Sequence, residues 1–158
     1  MPQRGRAQKG EEVRRYAETT KVPVERTRQE MEELLRRHGA TQYLQASDHE
    51  PRKGETSSVV QFKMGDRMVR LRFGVPVKPQ EARRKWRMIL MIVKAKLEFV
   101  ADGGSTIERE FLADVLLPDG QTAGEWFAPQ LKESYNTGGM PPLLAAPSAP
   151  QLKAKSKE

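Results

Sequence analysis

KPQEARRKWRMILMIVKAKLEFV, residues 78–100, decides the fold. It joins a cationic opening to a nearly continuous apolar run. Taken alone it suits a nucleic-acid-binding helix, a membrane-surface helix or the core helix of a small domain. On a helical wheel Ala82, Trp86, Ile89, Leu90, Val93, Leu97 and Val100 share one face, and Met88, Ile92, Ala95 and Phe99 widen it past half the circumference. Arg83, Arg84, Arg87, Met91 and Lys94 lie opposite. A helix this apolar is expected to be covered on most sides, by a sheet and by the helices that follow it. Its longest apolar run, Met88–Val93, is far short of the ~20 residues that cross a bilayer.

The sheet it covers is legible just upstream, in SSVVQFKMGDRMVRLRFGVP, residues 57–76. Val60, Phe62 and Met64 alternate with Val59, Gln61 and Lys63; after Gly65-Asp66, Val69, Leu71, Phe73 and Val75 alternate with Met68, Arg70 and Arg72. Period-two alternation around a Gly-containing turn predicts a hairpin with one buried face, and an outward face displaying Gln61, Lys63, Arg70 and Arg72.

Before the hairpin, VPVERTRQEMEELLRRHGA places Val24, Met31, Leu34, Leu35 and His38 on one helical face. Glu25 in its first turn and Arg36 and Arg37 in its last suit the helix dipole, and Gly39 is the expected stop. Thr41–Ala46 reads as a short strand and residues 47–56 as a loop. Beyond the long helix, Ser105 and Glu108 are spaced as a capping box that opens a helix through STIEREFLADVLL. Thr122 and Glu125 form a second box, opening a last helix expected to be interrupted near Pro129. The expected fold is α+β: a helix, a three-stranded antiparallel sheet, a long central helix and two shorter C-terminal helices.

The ends differ in composition. Residues 1–21 carry nine charged side chains and few apolar ones, so they are expected to be a disordered basic tail. Residues 136–158 concentrate Gly, Pro, Ser and Lys and are expected to be a flexible tail, in which Met140, Leu143 and Leu144 could still dock on the domain or on a partner. A single domain is expected over 22–135. The basic, polar N-terminus has no apolar run of a secretory signal, and the chain reads as cytoplasmic, with no membrane role.

The 158-residue chain carries no cysteine, which excludes disulfides and thiolate chemistry, and its only histidines are His38 and His49. Asp48, His49 and Glu50, with Asp66, match no metal-ligand spacing and read as solvated turn residues. No phosphate loop, nucleophile elbow or dinucleotide fingerprint occurs, so no catalytic residue, metal or cofactor is expected.

Charge carries the functional signal. The net charge is +7, which favours polyanionic partners. Residues 52–96 hold thirteen Lys and Arg against Glu55, Asp66 and Glu81, a balance of +10. Residues 97–135 hold only Arg109 and Lys132 against eight acids, a balance of −6. At the start of the long helix Arg83, Arg84, Lys85 and Arg87 sit at the dipole end that disfavours cations. Together with Lys63, Arg70 and Arg72 they form the expected phosphate-binding set for DNA or RNA. The alternative is a protein-interaction module, such as an inhibitor of a host enzyme or defence system, with exposed apolar contacts near Trp126 and Phe127.

In topology the order helix, three strands, helix resembles a double-stranded-RNA-binding domain. That family's Gly-rich, Lys-Lys-rich motif has no counterpart in VPVKPQEARRKW. A wider resemblance covers about residues 14–144. RRYAETTKVPVERTRQEMEELLRRHGATQY, FKMGDRMVRLRFGVP, RRKWRMILMIVKAKLEFV, LPDGQTAGEWFAPQL and the later GGMPPLL look like a family of small phage and prophage proteins with no assigned activity. The resemblance implies a bacteriophage or prophage setting in a bacterial host cell and supplies no catalytic residues.

Overall fold

The computed structural model describes residues 15–50 and 52–139. The chain runs α1 (Val24–Arg37), β1 (Gln42–Ser47), β2 (Glu55–Met64), β3 (Arg67–Pro76), α2 (Pro79–Ala101), α3 (Ile107–Glu110), a 3-10 turn (Leu112–Asp114) and α4 (Ala123–Thr137). The three strands form one antiparallel sheet in the order β1-β2-β3. This is the α+β order expected from the sequence.

The hairpin register pairs Phe62 with Val69, Val60 with Leu71 and Ser58 with Phe73, so the apolar set lies on one face. Between Met64 and Arg67 the turn is two residues long. Gly65 takes φ +58 at the first central position while Asp66 stays at negative φ, the arrangement of a type II′ turn that matches strand twist.

α1 and α2 pack against each other, and α2 lies on that apolar face. α2 contributes Trp86, Leu90, Val93 and Leu97, a stripe one residue wide; α1 contributes Met31, Leu34 and Leu35. Trp86 meets Phe73 edge-to-face at 5.1 Å, and the Arg28 guanidinium lies over its indole, 4.9 Å from the ring centre. Arg28 also donates to Ser47 Oγ at 2.8 Å, and Ser47 is 3.1 Å from the buried Ser58 hydroxyl. One polar chain thus ties α1 to β1 and β2.

Three expectations change. First, α2 is not covered on most sides: Ile92 and Phe99, expected on its widened apolar face, are exposed, as is Met91 opposite. Second, the segment from Ser105 does not form one helix. Thr106, not Ser105, caps α3, accepting from the Arg109 backbone N–H. The helix stops at Phe111, whose ring must leave it to reach Phe62, 5.5 Å away in a T-shaped pair. Val115 and Leu116 then line the edge of β3, where the Leu116 N–H donates to the Met68 carbonyl at 2.8 Å. Third, α4 runs through Pro129 without interruption, capped as expected by a complete Thr122/Glu125 box. The bond Pro129 removes would go to the carbonyl of Glu125, an exposed residue within reach of solvent.

Residues 15–21 precede α1, and Gln80 donates to the Glu18 and Thr20 carbonyls at 2.9 and 3.0 Å. α4 extends to Thr137. The remainder of the two expected tails, 1–14 and 140–158, lies outside the described residues.

If the Trp86 stripe is the core and the Ile92 side is surface, Trp86→Ala should cost about 3–5 kcal/mol. Ile92→Ala should cost less than about 1 kcal/mol. Urea denaturation followed by circular dichroism reads both. Equal losses would contradict this division of α2.

Candidate nucleic-acid interface

Alternation along β3 settles where the hairpin cations go. Leu71 and Phe73 face α2, so Arg70 and Arg72 face the other side of the sheet, with Gln61 and Lys63 on β2. Arg83, Arg84, Lys85 and Arg87 are on α2, which covers the opposite side. The sheet itself therefore separates the seven expected residues into two surfaces.

On the hairpin surface the cations meet internal partners. Arg70 donates from Nε to Gln61 Oε1 at 3.0 Å and from a terminal nitrogen to the Gly120 carbonyl at 3.1 Å. Arg72 lies 3.8 Å from the Glu125 carboxylate, and Arg67 lies 3.4 Å from Glu108. The acids come from the C-terminal third of the chain. The charge separation along the sequence is thus partly cancelled in space, because α3 and the start of α4 fold back along β3. Lys63 has no ion pair among the described residues.

The α2 surface is less compensated. Arg87 forms an ion pair with Glu30 of α1, and Arg83 donates to Gln80 Oε1 at 2.6 Å. Arg83 Nε is buried without a partner among the described residues. Arg84 and Lys85 are half-buried and have no ion pair among the described residues; Lys94 is exposed two turns beyond Arg87. Pro79 at the first helical turn and Glu81 favour the helix start, and Lys78 pairs with Glu81 at 3.6 Å. One carboxylate there does not balance the cations that follow.

A second surface was only half legible in the sequence. Leu112, Ala113, Ala123, Trp126 and Phe127 line an apolar groove of about 690 Å³ between the 3-10 turn and α4, with Lys96 and Asp114 at its edge. Leu112 is 64% exposed and Trp126 40% exposed, so these side chains are surface. Gly124 permits the close approach of α4: a Cβ there would stand 2.8 Å from the Ala113 carbonyl oxygen. Leu112 could not be found from periodicity, which places it inside a helix that does not form.

Two carboxyls here are shifted. Burial raises the Asp114 pKa, opposed by the nearby Lys96 ammonium. Glu125 is lowered, chiefly by the Thr122 backbone N–H; desolvation opposes this, and the Thr122 hydroxyl, Arg72 and Arg70 add smaller lowering effects. Among the described residues no group of three or more His, Asp or Glu side chains is placed to hold a metal ion, and no helix is long and apolar enough to cross a membrane. Asp48 accepts from the Glu50 backbone N–H at 3.0 Å, the local bond of a turn residue.

No protein-family model, curated protein or solved structure matches the chain.

The raised Asp114 pKa has a defined sign. A folded-state pKa above the unfolded value gives stability that is fully present below the unfolded pKa and is lost as pH rises through the folded pKa. Asp114→Asn removes this charging cost. The variant should match the parent at the most acidic pH and exceed it in stability at neutral pH. Thermal unfolding from about pH 3 to 7 reads the difference; a variant less stable than the parent at neutral pH would reverse the assignment.

Proposed function

We propose that the protein binds nucleic acid through the first turns of α2, by electrostatic contact with phosphates rather than by reading bases. The observation that carries this reading is the uncompensated positive charge of Arg84 and Lys85, flanked by Arg83 and Arg87, at a helix end where the dipole opposes cations. Both residues are half-buried rather than enclosed, and a long cationic side chain at such a site can extend its charged head to a phosphate backbone. Lys63, Arg70 and Arg72 form a separate, weaker surface on the other side of the sheet, since two of the three are engaged internally. A duplex reaching both would have to pass round the sheet edge, so the α2 surface is the principal one. The phage or prophage setting belongs to the same proposal and rests on the sequence resemblance alone.

Fluorescence anisotropy with labelled DNA and RNA should show binding that weakens steeply with salt. Arg84→Ala with Lys85→Ala should reduce the salt slope by roughly 1–2 and weaken binding about equally across sequences. Arg70→Ala should have the smaller effect. Absence of binding at low salt, or full binding by the double variant, would refute the α2 assignment.

A second reading, a protein-interaction module, is favoured by the exposed groove at Leu112 and Trp126. An apolar pocket rimmed by charge, with an accessible Trp, is where a protein contact concentrates its energy. If this reading holds instead, a protein partner purified with the chain survives nuclease treatment, and Trp126→Ala weakens its binding tenfold or more (about 1.4 kcal/mol). Partner binding unchanged by Trp126→Ala would remove the groove from it.

A further inference from the structure

β1 has a neighbour on one side only. Among the described residues β2 pairs with one edge of β1 and no strand lies against the other, whereas the far edge of β3 is occupied by Val115 and Leu116. The direction of the β1 backbone follows from the ladder. The Asp48 N–H donates to the Ser57 carbonyl at 2.8 Å, in register with the six β1–β2 pairs. Alternate residues therefore turn their backbone to β2: Asp48, Ala46, Leu44 and Gln42. Tyr43, Gln45 and Ser47 turn theirs to the open edge, where no backbone partner is found among the described residues.

Natural sheets protect such edges with charge, proline, a bulge or a covering helix or loop. Within Gln42–Ser47 the strand itself carries none of the first three, although α1 stands beside it, with Arg28 bonded to Ser47 and Glu25, Arg28 and Glu32 near Tyr43. Gly39–Ser47 contains no charged residue and no proline in a chain that is 31% charged, and the β1–β2 register is unbroken. At the middle of the strand, on the sheet face away from α2, Leu44 is 53% exposed. The nucleic-acid reading uses none of these features.

We propose that β1 pairs with β1 of a second copy of the chain, antiparallel about a two-fold axis at Leu44, joining the two sheets into one of six strands. The geometry favours a second copy over an unrelated peptide because β1 is complementary to itself. Residues directly opposite in an antiparallel pair share a sheet face, so a symmetric register must pair residues of equal parity. Centring it on Leu44 sets Tyr43 of each copy against Gln45 of the other, and these are residues whose N–H and C=O groups point to the open edge. Each such pair exchanges two hydrogen bonds, and the two Leu44 side chains meet in the close, non-hydrogen-bonded position between them. A register one residue away would put core-facing side chains on the outward face. Charge points the same way. Two chains of net charge +7 repel at most surfaces, and the strand residues Gln42–Ser47 add no charge of their own to that repulsion.

The absence of cysteine makes the register directly testable in the full chain. With Leu44→Cys, the two thiols fall at the Cα separation of about 4.5 Å that suits a disulfide, so mild oxidation should give a covalent dimer in high yield. With Ala46→Cys the partners are offset by four residues, about 13 Å along the strands, beyond the reach of a disulfide, and little dimer should form. In sedimentation equilibrium the parent should show a monomer–dimer equilibrium, and Leu44→Lys should weaken it at least tenfold with an unchanged far-UV spectrum. A parent that stays monomeric up to about 0.5 mM overturns the proposal, and would mean that any strand added to this edge comes from another protein. Equal cross-linking of the two cysteine variants, or a dimer indifferent to Leu44→Lys, overturns it as well.

Discussion

The burial of Trp86 is the contact through which the other parts of the fold are related. Its ring meets Phe73 of the sheet on one side and the Arg28 guanidinium of α1 on the other, so a single side chain fixes α2 against both layers. Arg28 is held in place by Ser47 and, through it, Ser58, so the aromatic contact and the polar chain position each other. Cation–π and aromatic pairs contribute only about 0.5–2 kcal/mol each. Burial of the indole among Leu90, Val93 and neighbouring core side chains supplies the larger share.

Fixing α2 in this rotation has a consequence for the surface. The helix buries a stripe and leaves Met91, Ile92 and Phe99 outside, so its apolar breadth exceeds what the sheet and α1 can cover. The same rotation carries Arg84 and Lys85 away from the core while Arg87 reaches Glu30 of α1. One set of packing contacts therefore sorts the cations into those that pair across the helices and those without an ion pair among the described residues.

Electrostatics show the limit of linear reasoning most clearly. A basic stretch followed by an acidic one reads as two poles, yet Arg67, Arg72 and Arg70 find Glu108, Glu125 and the Gly120 carbonyl when the chain folds back along β3. Sequence distance says nothing of this return. It depends on Phe111 leaving α3 for the core and on Gly124 letting α4 sit against the 3-10 turn. The raised Asp114 pKa has the same origin, since its burial is created by that segment, whereas Glu125 is lowered chiefly by the local capping bond from the Thr122 backbone N–H.

The hairpin, α1, the capping box at Thr122 and the existence of a long α2 were determined by the sequence itself, because each is encoded in residues close together along the chain. Alternation specifies a strand face, helical spacing a helix face, and Gly65 a tight turn, with no knowledge of distant contacts. Which of the seven cations share a surface, how much of α2 is covered, and where the helix after Ser105 ends were decided only in three dimensions. Those answers depend on the sheet standing between α2 and the hairpin cations, and on whether an aromatic such as Phe111 gains more from the core than a regular helix would lose. Neither is a property of a local window of residues.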